Sequence, residues 1–185
     1  MTDAPLLLVT VGTDHHPFDR LVRWVDAWLE QAPTEVRCLM QTGTSVPPRI
    51  ATWRPYLSFQ ELQAHMREAA AVVCHGGTAT TLGALHLGLV PIVVPRRGRL
   101  GEHVDDHQVA FARRLHESGD IALAETEAEL HARLAHAASD PAAFRAPSVR
   151  PRTAEAARAF ERLVDGLMAT PKRPRGLRFR PRTTR

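Results

Sequence analysis

The stretch Ala71-Val72-Val73-Cys74-His75-Gly76-Gly77-Thr78-Ala79-Thr80-Thr81-Leu82-Gly83-Ala84-Leu85-His86-Leu87-Gly88-Leu89-Val90-Pro91-Ile92-Val93-Val94 decides the fold. It begins with a β-prone apolar run, 71–74, that lacks the alternation of a half-exposed strand. A glycine pair follows, then a helix over 78–87 that Gly88 ends, then a second apolar run over 90–94. A strand, a helix and a strand in this order are the building block of a parallel sheet.

The same rhythm continues outward. Leu6 to Val11 predicts another buried parallel strand, closing on Gly12-Thr13. Phe18, Leu21, Val22, Val25, Trp28 and Leu29 then recur at the spacing that puts them on one helical face. Val36 to Met40 reads as a strand, and 41–55, with Gly43, Pro47, Pro48 and Pro55, as a loop. Tyr56-Leu57-Ser58-Phe59 is expected to be a short strand and 60–70 a helix. Downstream, Val104, Phe111 and Leu115 mark a helical face, Ile121-Ala122-Leu123 a last strand, and 126–138 and 153–168 two helices. Such alternation, with right-handed crossovers, predicts an α/β fold: a Rossmann-like, doubly wound parallel sheet. No internal repeat is visible; one domain is expected over 1–169 and a basic, disordered tail over 170–185.

Composition bounds the function. A chain of 185 residues supports one hydrophobic core without staples. Hydrophobic residues at 44% and charged residues at 24% disfavour wholesale disorder and collagen-like repeats, and 5% aromatics are too few for a base-stacking platform. Cys38 and Cys74 lie in apolar segments with no secretory signal ahead of them, so both read as reduced core thiols. No apolar run approaches the roughly 18 residues a membrane span needs. The net charge of +4 is uneven: residues 172–185 hold seven of the 24 Lys and Arg and no acid, leaving 17 basic against 20 acidic residues elsewhere, a net of −3. That tail is either a solvated end or an electrostatic contact for an anionic membrane or an acidic partner. Nucleic acid is not expected, because no nucleic-acid module accompanies the basic residues.

In sheets of this kind ligands bind at the carboxyl ends of the strands, so the informative residues directly follow each strand. In His75-Gly76-Gly77-Thr78-Ala79-Thr80 two glycines let the backbone approach a ligand while unpaired N–H groups at the helix start face it. The helix dipole favours an anion there, His75 can donate from its ring, and Thr78 and Thr80 add hydroxyls. No Lys follows the glycines, so this is not a P-loop, nor is it GxGxxG. The same pair of glycines is also compatible with plain turn chemistry.

The segment 95–108 packs cations, carboxylates, imidazoles and an amide into 14 positions. Arg96, Arg97 or Arg99 would neutralise a diphosphate, while carboxylates and amides at a helix start take paired hydrogen bonds from sugar hydroxyls. A solvated loop with Asp105 and Asp106 as helix-start acids is the plainer alternative. His103 and His107 stand at i, i+4 like two zinc ligands, but the Glu that follows the first His in such helices is missing, and no metal is expected. His15 and His16 precede Pro17 and read as surface residues; Trp24, Trp28 and Trp53 read as packing or interface residues.

These residues resemble a family. His75-Gly76-Gly77-Thr78 with Gly88-Leu89-Val90-Pro91, and Pro95 with Gly101-Glu102-His103 and Asp105-Asp106-His107-Gln108, look like the C-terminal, nucleotide-sugar-binding half of GT-B glycosyltransferases, specifically the family 28 C-terminal domain. Val9-Thr10-Val11-Gly12-Thr13 and Phe18-Asp19-Arg20-Leu21 are similar to the opening of its stand-alone members, the soluble subunit of the dolichol-linked N-acetylglucosaminyltransferase and its bacterial exopolysaccharide counterparts. The resemblance covers about residues 5 to 125. It implies that His75 and the N–H groups of Gly76, Gly77 and Thr78 hold the diphosphate of a UDP-sugar, with Thr80 as a second hydroxyl. It also implies that Gly12 and Thr13 face the cleft floor, that Asp106, His107 and Gln108 read sugar hydroxyls, and that Glu102 and His103 close over them. One position departs: where many relatives carry an acid that grips the ribose, this chain has Gly83, which is expected to cost nucleotide affinity or to allow close helix packing.

A GT-B enzyme binds donor and acceptor in separate domains, and this length supplies one. The resemblance therefore implies a catalytic, UDP-sugar-binding subunit that works with a membrane-associated, acceptor-binding partner at the cytoplasmic face of the membrane. It would move a hexosyl group, such as N-acetylglucosamine, glucose or glucuronate, to a lipid-linked or polysaccharide-precursor acceptor, without cofactor or metal. The general base is expected on the partner, or at His103 or His15 on this chain. The competing expectation is a non-catalytic nucleotide-sugar-binding or regulatory module.

Overall fold

The computed structural model describes residues 4–32 and 35–146. The helix expected over 153–168, the domain limit near 169 and the basic tail lie outside the described residues. Among the described residues six strands form one parallel sheet: β1 (Leu6–Thr10), β2 (Arg37–Gln41), β3 (Thr52–Arg54), β4 (Ala71–His75), β5 (Ile92–Val94) and β6 (Ala122–Leu123). Five helices alternate with them: α1 (Asp19–Leu29), α2 (Phe59–Glu68), α3 (Thr78–His86), α4 (His107–Glu117) and α5 (Glu127–Ser139).

The strand order is β3-β2-β1-β4-β5-β6. Chain order runs outward one way from β1 and the other way from β4, so the direction of winding reverses between these two central strands. That reversal places a crevice at their carboxyl ends, where sheets of this kind take their ligands.

The unbroken apolar run of β1 follows from burial on both sides. Leu7 and Val9 pack with α1 and α5 residues such as Leu21, Val25, Leu130 and Leu134, while Leu8 packs with Met66 of α2 and Ala84 of α3. Leu7, Leu8 and Val9 are wholly buried, each contributing about 1.5–3 kcal/mol to the fold. Cys74, Val93, Ala112, Ile121 and Leu123 form a third cluster under α4. Cys38 and Cys74 are buried free thiols, and burial pushes both up to about 12.

Two local expectations are corrected. Tyr56–Phe59 is not a strand: Ser58 and Glu61 form a reciprocal capping box, and Phe59 opens α2 with 73% of its surface exposed. The strand starts four residues earlier, as β3 inside the presumed loop, paired to β2 through Leu39, Met40 and Gln41. Val104 does not belong to the buried face of α4: it is 75% exposed, and the helix starts at His107, with Gln108 and Ala112 turned inward.

Candidate donor-binding site

The crevice between β1 and β4 is lined by the two turns that leave those strands. After β1, Gly12 takes a φ of +85°, a left-handed conformation that glycine adopts without steric cost. After β4, Gly77 is the N-cap of α3, and no side chain caps that helix. Its first amides are thus left to face the crevice, with the positive end of the dipole behind them.

The His75 ring sits between the two turns. A Cβ on Gly12 would lie 2.5 Å from its Cε1, and one on Gly77 2.1 Å from its Nε2, so neither position has room for a side chain while the ring stays in place. A Cβ on Gly76 would meet Gln108 at 3.0 Å, which is how α4 packs directly beneath the turn. Thr81 anchors the first turn of α3 by donating to the Gly77 carbonyl at 2.9 Å. Thr78 and Thr80 are half-buried at the helix start, and Thr13 is exposed at the rim.

Burial pushes the His75 imidazole down to about 4 from its ordinary 6.5, and the positive charge of Arg96 acts in the same direction. Its Nδ1 is enclosed without a hydrogen-bond partner. On acidification the unfolded chain therefore takes up a proton at this residue before the folded one does. Stability that rests on neutral His75 is complete above pH 6.5 and is lost as the pH falls toward 4, amounting to about 3 kcal/mol. Urea unfolding at pH 7 and pH 4.5 is expected to show this loss, and His75→Asn to remove most of it.

Two residues expected to touch substrate, Arg96 and Glu102, are tied into the protein, and a third, Gln108, is engaged through its oxygen alone. Arg96 is fully buried, and its guanidinium donates to the carbonyls of His16 (2.6 Å), Glu102 (2.8 Å) and Val11 (2.7 Å) while lying over the Phe18 ring. It ties the β1–α1 loop to the 95–106 loop rather than reaching an external diphosphate. Glu102 is buried, receives Arg20 on both oxygens at 2.7 and 2.8 Å and accepts the Arg97 N–H on Oε2, so three of its roughly four acceptor sites are engaged within the protein. Gln108 is buried, and its Oε1 accepts the Arg96 N–H at 3.3 Å. Arg97 is likewise engaged, with the Glu125 carbonyl, whereas Arg99 is exposed on the turn before Gly101.

The rim is rich in imidazole. Asp106 is exposed and accepts the Gly98 N–H, and His107 is exposed beside Asp105. His103 is mostly buried, with Nε2 3.5 Å from Asp14. His15 is 82% exposed. His16 is not a simple surface residue: its Nδ1 lies 2.6 Å from Asp14. The backbone N–H of His16 holds Asp14 down at about 2, helped by the His16 side chain and Arg96 against partial burial. Asp14 escapes notice in the sequence, and Arg20 enters it only within the Phe18-Asp19-Arg20-Leu21 resemblance, with no role assigned. Asp14 stands four residues beyond β1, on the loop to which the strand-end rule already points, while nothing local marks the Arg20 partnership with Glu102.

Gly83 is not a packing glycine, since a Cβ there meets nothing within 4 Å. Gly83→Ala is therefore expected to raise stability by up to about 1 kcal/mol, read as a higher unfolding midpoint.

A parallel sheet with its crevice at the winding reversal, opening on a glycine-lined helix start, is a Rossmann-like fold, and its match to solved glycosyltransferases and to a family model shows it to be the C-terminal half of a GT-B glycosyltransferase fold. Solved structures share it. The chain superposes on the calicheamicin glycosyltransferase CalG4 with a TM-score of 0.56 and 19% identity, over 93% of this chain and 44% of that one. MurG of Acinetobacter baumannii gives 0.55 and 21%, over 78% and 44%. The glycosyltransferase of kitacinnamycin gives 0.56 and 20%, over 75% and 36%. The chain thus spans less than half the length of each. No curated protein matches the sequence. The model of the glycosyltransferase family 28 C-terminal domain matches residues 6–163, and the chain belongs to that family.

Proposed function

We propose that this chain is the donor half of a two-component glycosyltransferase, binding a UDP-sugar while a second, membrane-associated protein brings a lipid-linked or polysaccharide-precursor acceptor. The observation that carries the reading is the uncapped start of α3 beside His75, at the crevice between β1 and β4. There the amides after Gly77 and one imidazole N–H would receive the diphosphate, with the α3 dipole stabilising charge on the departing UDP. Asp106 and His107 stand at the rim, where sugar hydroxyls would be read. The acceptor hydroxyl attacks the anomeric carbon as the bond to UDP breaks, and its proton passes to a base. That base belongs to the second protein, or is supplied on this chain by His103 or His15 at the crevice mouth. The UDP-sugar is the donor substrate, and the chemistry uses no cofactor.

The place of action is the cytoplasmic face of the membrane, reached through the partner and assisted by the basic residues 172–185. Among the described residues no helix is long and apolar enough to cross a membrane. Deleting 171–185 is expected to leave UDP binding unchanged and to weaken binding to anionic vesicles.

Calorimetric titration of UDP, followed by UDP release from a panel of UDP-sugars with and without the co-purifying partner, tests the proposal. UDP is expected to bind the chain alone, to lose affinity in His75→Ala, and to be released only with the partner. Binding without turnover under every pairing would favour a non-catalytic nucleotide-sugar module, a reading to which the missing acid at Gly83 lends support.

A further inference from the structure

Two short segments meet at the crevice mouth, Asp14-His15-His16 and His103-Val104-Asp105-Asp106-His107. Ring centroids lie 3.9 Å apart for His15 and His16, 5.9 Å for His16 and His103, and 4.7 Å for His103 and His107. Neutral rings satisfy one another poorly, and each enclosed ring nitrogen calls for a partner.

His103 states that need most clearly. Its Nδ1 is enclosed and has no hydrogen-bond partner among the described residues. Asp105 Oδ1 lies 3.6 Å away, too far for a good hydrogen bond, but close to the ~3.4 Å between two ligands of one tetrahedral ion with bonds of about 2.0–2.1 Å. His107 Nδ1 is hydrogen-bonded to the same oxygen, which also accepts the His107 backbone N–H at 3.0 Å, so an ion would replace the ring contact and part these two groups; one donor atom from each of the three residues falls within 4.8 Å of the others. On the other side of the His103 ring, Nε2 faces Asp14 Oδ2 at 3.5 Å. At 3.5 Å this is an ion-pair approach rather than a hydrogen bond; tightened on ion binding, it would keep the proton on Nε2 and leave the Nδ1 lone pair for the metal, the arrangement that orients metal-binding histidines.

We propose that His103 Nδ1, Asp105 Oδ1 and His107 Nδ1 bind one divalent ion of the zinc class, with Asp14 orienting His103. Two imidazoles and one carboxylate suit zinc, cobalt or nickel rather than calcium or magnesium. Three protein ligands leave a tetrahedral ion's fourth position to water or an anion. The missing Glu after His103 does not count against the site. That Glu serves hydrolysis on a helix, whereas these ligands lie in the turn before α4 and at its first residue, with Asp105 between the two histidines. Ion binding here is separate from UDP binding at α3, so either can fail without the other.

Zn2+ titrated calorimetrically into the full chain, with Co2+ as a visible-absorption probe, tests the site. One equivalent is expected, with a tetrahedral cobalt spectrum. His107→Ala, an exposed position that spares the fold, is expected to lower affinity at least a hundredfold, as is His103→Ala. Asp14→Asn is expected to cost roughly 10- to 100-fold, and His15→Ala to cost nothing. Absence of stoichiometric binding, full affinity in His107→Ala, or loss in His15→Ala alone would overturn the proposal.

Discussion

Gly77→Ala is expected to weaken UDP binding by about a hundredfold, equivalent to ~2.7 kcal/mol, with little change in folding stability. The backbone is not the obstacle, because Gly77 has φ −75°, which alanine adopts without strain. The obstacle is the His75 ring, 2.1 Å from where the new Cβ would stand. The ring must leave its seat between the turns, and both the imidazole and the approach to the α3 amides are lost together. Gly12→Ala provides the contrast. There the left-handed φ of +85° adds backbone strain to the clash with His75, so stability as well as binding is expected to fall. UDP affinity unchanged in Gly77→Ala, measured calorimetrically, would mean that the nucleotide does not use this turn.

The largest effect on stability is expected at Arg96. Arg96→Ala removes three hydrogen bonds to the carbonyls of Val11, His16 and Glu102 and leaves buried acceptors unpaired, for a loss of about 3–5 kcal/mol. Arg96→Lys should recover little, because a compact ammonium cannot span carbonyls that a planar fork bridges. Urea midpoints of the three proteins decide it. A near-normal midpoint for Arg96→Ala would return this residue to the role of an external phosphate ligand.

The parallel core was legible because buried parallel strands are continuous apolar runs: Leu6–Thr10, Ala71–His75 and Ile92–Val94 announce themselves without partners. β3 was not, because Thr52-Trp53-Arg54 is a three-residue edge strand, exposed throughout, with too few positions to display any period. The α2 start was misread as strand because the apolar pair around Leu57 outweighed the Ser58 and Glu61 cap, which is the stronger physical signal.

The His75-Gly76-Gly77 turn could be found from its place at a strand end. The partnerships that withdraw Arg96, Glu102 and Gln108 from solvent could not. Arg20 and Glu102 are separated by 82 residues and Arg96 and Val11 by 85, and only the folded sheet brings them together. Loop charges therefore looked available for a ligand when they are spent on holding the two rim loops in register. The outcome for Asp14 is the reverse: a residue to which the sequence reading gives no role faces three imidazoles.

The most direct test of the account is a crystal structure of the chain with UDP. The account predicts the diphosphate against the amides at the start of α3, within hydrogen-bond distance of the His75 ring and above Gly12. A nucleotide bound elsewhere, with the α3 start still facing solvent, would contradict it.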